Sequence, residues 1–443
     1  MLGAIIGDIV GSRFEWHNHK SKDFKLFNSN CRFTDDTVMT IAIAKALLES
    51  KSDYSDLSEK TISNMQELGR KYPNVGYGGS FNCWLRAKKP MPYNSWGNGA
   101  VMRISPVGFA ARFMNEAKQL ALKVTEVTHN HPEGLKGAEA IAVAIYMARI
   151  GKSKDEIKQY MEDNYYKAQT TVEELQKTYK FDVSTQGSVP PALECFYEST
   201  SFEDCIRNAI SIGGDSDTIG AIVGGLAEAY YGIPEDIKNN AFEYLPDEFI
   251  KVIEEFEEYQ KKHKFVRVMD GTKSNEGGFD YKIDEINISS DWNPNETDRE
   301  KVGGFNFSTE DKILRWLHRG DTIYDVIIPE DAEVVELDEE KGIWRTNKII
   351  VTNPREITDE IVMEIYKETT LSNKILAQCL QTLLWKNRMH ISKYIINDRV
   401  NKSNVDEFIS EFENHIDNLH PCKEKQDDGS KIIYKMLKEI KNK

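Results

Sequence analysis

The stretch "GAIIGDIVGSRFEW" places glycines at positions 3, 7 and 11. That spacing puts all three on one face if the segment is a helix. Glycine weakens a helix interior by roughly 0.5–1 kcal/mol relative to alanine, so three in register need a return. The return available is close approach of another backbone. The stretch is therefore expected to form a tightly packed helix. Asp8 and Glu15 are seven residues apart and would share a face of it. Read alone, they are surface acids as readily as site residues.

A second device follows in "CRFTDDTVMTIAIAKALL", residues 31–48. An Ala/Ile/Leu-rich helical pattern begins directly after Thr34, Asp35 and Asp36. Thr34 can cap the helix, and acids in the first turn suit the positive end of its dipole. The same three residues also present hard oxygens to a divalent cation. The device recurs in "GGDSDTIGAIVGGLAEAYYG", residues 213–232, where Gly213 and Gly214 permit a tight turn and Asp215, Asp217 and Thr218 open a helix. If the two helix starts converge, four carboxylates sit together and repel unless cations neutralise them. Oxygen ligands without a cysteine cluster select Mg²⁺, Mn²⁺ or Ca²⁺ over zinc. Four shared carboxylates can hold two metals about 3.5–4 Å apart, the spacing of two-metal hydrolases.

Two loops, "YPNVGYGGSFNCW" (72–84) and "SWGNGAVMRISP" (95–106), are glycine-rich with aromatic residues. Such loops let backbone N–H groups approach an anion such as a diphosphate. Neither is a Walker A loop or a dinucleotide fingerprint, which disfavours triphosphate and nicotinamide chemistry. In "THNHPEG" (128–134), His129 suits a pocket wall or hydrogen-bond donor better than a metal ligand; service to loop structure alone is the alternative for both histidines.

Strand-like alternation is nearly absent up to about residue 262, so this part is expected to be a compact all-α domain. Its more polar segment 152–188 reads as an excursion at the edge. The texture changes at "KFVRVMDG" (264–271), and residues 271–303 are rich in Gly, Asn, Asp and Ser. "YDVIIP", "AEVVEL" and "KIIVT" read as strands, "STEDKILRWLHRGD" as a short helix, and the remainder as helices ending in a charged, fraying tail. A smaller α+β domain is thus expected over 265–443. His318, Arg319 and Asp321 there are accounted for by a helix end and turn.

The balance of 57 basic against 72 acidic residues, a net charge of -15, argues against a general grip on nucleic acid. No apolar run approaches the ~20 residues of a membrane span, and the N-terminal stretch lacks the basic region of a signal peptide. Six cysteines without Cys-x-x-Cys pairing read as reduced thiols of a cytoplasmic protein.

In order, "GDIVGSRFE", "FTDDT", "GNGAVMRISP", "THNHP" and "GGDSDTIGAIVGGLAEAYYG" resemble the motifs of the ADP-ribosylglycohydrolases, the family of the dinitrogenase reductase-activating glycohydrolase. The resemblance covers about residues 1–262. It implies an all-α domain with two Mg²⁺ or Mn²⁺ ions that hydrolyses the N- or O-glycosidic bond between ADP-ribose and an acceptor such as a modified protein. Thr34, Asp35, Asp36, Asp215, Asp217 and Thr218 would ligate the metals, and Glu15 would close over them or contact their water. Asp36, Asp217 or Glu15 would take the proton. Gly97, Asn98, Gly99 and Met102 would line the ribose and diphosphate, with His129 near the distal part of the ligand. Gly76, Tyr77 and Gly78 would lie close to the scissile bond, with Phe81 on the adenine.

The acceptor stays open among arginine, serine, a nucleobase and a small metabolite. Two rival functions also stay open: a two-metal hydrolase of another phosphoester or glycoside, and an ADP-ribose-binding module without turnover. The second domain resembles no family; a targeting or partner module is the expectation for it.

Overall fold

The computed structural model describes residues 1–167, 170–274, 278–296, 298, 301–419 and 428–442. It divides into two units, Met1–Gln260 and Lys261–Lys443. The first unit contains α1 (Leu2–Gly11), α2 (Asp35–Glu49), α3 (Leu57–Lys71), α4 (Gly79–Arg86), α5 (Ser105–Ala110), α6 (Met114–Thr125) and α7 (Pro132–Arg149). It continues with α8 (Lys154–Asn164), α9 (Val172–Thr178), α10 (Thr185–Tyr197), α11 (Phe202–Ser211), α12 (Ser216–Tyr231) and α13 (Glu235–Phe242). A last helix, α14 (Asp247–His263), runs across the unit boundary.

The three N-terminal glycines lie on one face of α1, and that face meets α12. A Cβ on Gly7 would overlap the Gly220 carbonyl, and one on Gly3 the Gly224 carbonyl. The glycines of α12 answer in kind: a Cβ on Gly220 would lie 2.5 Å from the carbonyl oxygen of Gly7. Gly11 meets Ser216 and Asp217, so the helices run antiparallel and the end of α1 abuts the start of α12. Every residue of α1 is buried. The helix stops at Gly11, so the shared face expected for Asp8 and Glu15 does not extend to Glu15. Glu15 lies in the turn beyond, while Asp8 is fully buried rather than a surface acid.

Helix starts are capped as their sequences allow. Thr34 is the N-cap of α2, accepting from the Asp36 N–H at 3.2 Å. His131 caps α7 ahead of Pro132, accepting from Glu133 N–H.

The end of segment 152–188 departs from the expected edge excursion. After α8 and α9 the chain returns so that Gly97 and Ser184 form an antiparallel bridge. Asn98 N–H donates to Val183 O and Thr185 N–H to Trp96 O, each at 2.8 Å. Residues 181–184 therefore stand beside the 95–106 loop. Apart from this bridge, the named elements of the first unit are helical among the described residues.

The second unit is built on an antiparallel sheet: β1 (Phe265–Met269), β2 (Asn287–Ile288), β3 (Phe305–Thr309), β4 (Thr322–Ile327), β5 (Val334–Asp338), β6 (Ile343–Thr346) and β7 (Lys348–Glu356), in the order β2-β7-β4-β1-β3-β6-β5. The expected short helix is a 3₁₀ segment, Glu310–Arg319. His318 Nδ1 pairs with Arg315 O, and Asp321 accepts from Gly271 N–H and the Thr322 hydroxyl, as a helix end and turn require.

Helices α15 (Asp359–Glu368), α16 (Asn373–Trp385), α17 (Met389–Arg399), α18 (Val405–Leu419) and α19 (Asp428–Asn442) complete the unit. Ile433 and Leu437 of α19 are buried in the same core as Val266, Phe408 and Phe412. The described part of the tail is thus docked by its apolar stripe and does not fray; residues 424–427 and 443 of it lie outside the described residues. Cys31, Cys83, Cys195, Cys205 and Cys379 are free thiols, and Cys422 lies outside the described residues.

Replacing Gly7 with alanine should cost about 3 kcal/mol or more, because backbone rather than a movable side chain opposes the new methyl. Gly79→Ala, with open space at its Cβ position, is the control and should be near neutral. Urea unfolding midpoints of the two variants check this.

Candidate active site

The antiparallel seam brings three chain segments to one place. The end of α1 supplies Asp8, the turn after it Glu15, and the starts of α2 and α12 supply Asp35, Asp36, Asp215 and Asp217. Oxygens of Asp8, Asp36 and Asp217 lie within 4.8 Å of one another, as do those of Glu15, Asp215 and Asp217. Above them is a cavity of about 690 Å³. Its lining includes Glu15, Asp35, Asp36, Asp215, Asp217 and Thr218 together with Gly76, Gly78, Phe81, Gly97, Asn98, Gly99, Met102 and His129. Of the residues expected at the site, Tyr77 and Thr34 do not line the cavity. Tyr77 is buried against Phe81. Thr34 stands behind the carboxylates, with its hydroxyl donating to Asp8 Oδ1 at 2.7 Å.

Asp8 is the residue that sequence inspection left undecided. Its Oδ2 accepts from Thr34 N–H at 2.9 Å, Thr37 N–H at 3.1 Å and the Thr37 hydroxyl. These bonds tie the end of α1 to the first turn of α2 and orient Thr34. Asn98 performs a similar task for α12, donating from Nδ2 to Asp215 Oδ2 at 2.7 Å. Gly76, at φ +124°, carries its backbone past Asp35, where a Cβ would lie 2.6 Å from Oδ1. Phe81 stacks on Trp84 with ring centroids 5.5 Å apart, which fixes its edge at the cavity wall.

Burial and mutual repulsion dominate the electrostatics. Burial first, then the Asp8 charge, pushes the Asp35 carboxyl up to about 8. Burial followed by neighbouring carboxylates raises Asp36 and Asp217 well above the usual range. Burial raises Asp8 and Asp215 against their own hydrogen bonds, and raises Glu15 with Asp215 second. Asp36 Oδ1 is buried without a hydrogen-bond partner among the described residues. An orphaned carboxylate oxygen among hard oxygen donors fits divalent cations of the Mg²⁺ and Mn²⁺ kind, because such an ion removes both the repulsion and the unmet lone pair.

Several wall residues carry no signal in their local sequence. Trp16, Trp96 and Phe181 line the cavity yet are 70%, 50% and 42% exposed, which places them at its rim. Trp16 and Phe181 stack at 5.2 Å although 165 positions separate them. Asp182, Val183 and Ser184 join the wall through the returning 152–188 segment.

Residues 1–267 match the family model described as ADP-ribosylglycohydrolase. Among curated proteins, ADP-ribosylhydrolase ARH3 of Mus musculus is 25% identical over 58% of this chain and 87% of its own length. ADP-ribosyl-[dinitrogen reductase] glycohydrolase of Rhodospirillum rubrum is 24% identical over 53% of this chain and 85% of its own. ADP-ribosylarginine hydrolase Tri1 of Pseudomonas putida is 24% identical over 53% and 70% respectively.

Without metal, the folded chain retains the Asp35 proton up to about pH 8, whereas an unfolded aspartate, at 3.8, has released it. The folded state therefore binds more protons across that window, and stability falls as pH rises through it. In EDTA, the melting temperature should drop by several degrees between about pH 6 and 8. Mn²⁺ should reverse the drop most strongly at the upper end, where its ligands are ionised. Calorimetry with and without metal checks both signs.

Proposed function

The chain belongs to the ADP-ribosylglycohydrolase family, and on that premise we propose that it is a metal-dependent hydrolase cleaving the glycosidic bond between ADP-ribose and an acceptor. The observation that carries the proposal is the convergence of Glu15, Asp35, Asp36, Asp215 and Asp217 at one cavity, with Asp8 packed behind them. The cavity volume, about 690 Å³, lies within the range of pockets that enclose ligands of nucleotide size.

Asp35, Asp36, Asp215, Asp217 and Thr218 would hold two Mg²⁺ or Mn²⁺ ions, with Thr34 contributing its remaining lone pair. The bound cations supply the charge that makes hydroxide available at neutral pH. Attack at the anomeric carbon passes through an oxocarbenium-like state, so residues that place the ribose matter as much as those that hold the ions. Asn98 fixes Asp215 and, with Gly97 and Gly99, forms the wall along which a ribose and diphosphate would lie. Glu15 is only partly buried, unlike Asp36 and Asp217, and this leaves it the carboxylate with room to take up a proton. The aromatic rim of Trp16, Trp96 and Phe181 would face the acceptor. The second unit would select which modified partner reaches the cavity.

The test is ADP-ribose release from ADP-ribosylated arginine and serine peptides with Mg²⁺, Mn²⁺ or EDTA. Release should require metal, and Asp35→Asn should reduce it about 100-fold or more. Metal-dependent ADP-ribose binding with no release from any acceptor would instead favour a binding module. Cleavage of aryl phosphates alone would favour another two-metal hydrolase.

Trp16→Ala and Phe181→Ala should raise KM for a modified peptide several-fold while leaving the Kd of free ADP-ribose unchanged. Steady-state kinetics beside calorimetric titration separate the two.

A further inference from the structure

Arg103 is 1% exposed, reaches the cavity wall, and makes no ion pair with a carboxylate among the described residues. A buried guanidinium without a counter-charge is costly, so its contacts merit a physical reason. Its Nη2 donates to the Thr128 hydroxyl at 2.7 Å. The same hydroxyl lies 2.8 Å from His129 Nδ1. A guanidinium only donates, so Thr128 Oγ1 accepts there and its own proton is free for a second bond. His129 Nδ1 is the acceptor in reach among the described residues. An imidazole whose Nδ1 accepts carries its proton on Nε2. His129 Nε2 has no hydrogen-bond partner among the described residues and sits at the wall formed by Gly97 and Gly99, where a Cβ on Gly99 would lie 3.2 Å from it. Burial first, then the Arg103 charge, keeps the ring neutral well below its ordinary range.

We propose that Arg103 is a positioning residue which, through the Thr128 hydroxyl, locks His129 as the Nε2–H tautomer and so aims one fixed N–H donor from the glycine wall at an acceptor oxygen of the bound ligand. The chain runs Arg103 to Thr128 to His129 to ligand, each link a donor on an acceptor. The wall formed by Gly97 and Gly99 thus presents a donor to a group that accepts hydrogen bonds, such as a phosphate oxygen. This rests on the proposed ADP-ribose chemistry for the identity of the ligand but not for the tautomer.

The test has two arms on the full-length protein. Ring-nitrogen shifts of His129 in ¹⁵N-labelled protein at pH 7, assigned by loss in His129→Gln, should show a protonated Nε2 and an unprotonated Nδ1. A protonated Nδ1, or a charged ring, overturns the proposal whether or not any ligand binds. In the second arm, Thr128→Val should mix the tautomers and weaken ADP-ribose binding roughly 10-fold. Thr128→Ser should restore both readouts, and Arg103→Met should reproduce the tautomer mixing with Thr128 intact. A folded Thr128→Val protein that keeps the wild-type shifts and binds ADP-ribose within twofold of wild type overturns it as well. Wild-type protein that shows the expected shifts and fails to bind ADP-ribose would refute the ligand assignment while sustaining the tautomer lock.

Discussion

Because Gly3, Gly7 and Gly11 carry no Cβ, α1 rests directly on the backbone of α12, and everything at the cavity floor follows from that contact. The antiparallel register sets the end of one helix against the start of the other. Asp8 is thereby brought within 4.8 Å of Asp36 and Asp217, and the turn after Gly11 carries Glu15 beside Asp215. A wider helix spacing, of the 8–10 Å kind that side chains impose, would separate these groups. The glycines are thus expensive locally and decisive globally.

The floor so assembled is electrostatically unfavourable without a cation. Its carboxylates are buried, close and raised in pKa by burial and by one another. The fold spends hydrogen bonds to hold them there. Thr34 and Thr37 supply donors to Asp8, Asn98 supplies one to Asp215, and the first turns of α2 and α12 add their dipoles. This arrangement keeps the site formed before a ligand arrives. It is the kind of tension that active sites store and the rest of the molecule offsets.

Much of the site could be read from the chain because its ligand-type residues occur in runs. Thr34-Asp35-Asp36 and Asp215-x-Asp217-Thr218 announce themselves by repetition, and the Gly97-Asn98-Gly99 and His129 segments by composition. Asp8 was harder to read, since a single acid in an apolar helix signals nothing until its neighbours are known. Trp16 and Phe181 were invisible as a pair, because stacking between distant segments leaves no local pattern. Segment 152–188 misled for a related reason: its polarity indicates exposure, and does not show that residues 181–184 at its end return to the cavity wall. The tail beyond residue 428 misled in the opposite sense, its charge masking the buried stripe of Ile433 and Leu437.

The sequence by itself determined that the first unit would be helical, that one helix would pack against bare backbone, and that two helix starts would bear hard oxygen ligands. Those are local properties, set by periodicity, by glycine's missing side chain and by capping chemistry. Which backbone meets those glycines, and hence that Asp8 joins the two acidic helix starts, was decided only by the tertiary structure. So was the Arg103–Thr128–His129 relay, in which a buried cation bears on a histidine 26 positions away. Such contacts depend on the register in which helices settle, and register is a property of the packed core as a whole.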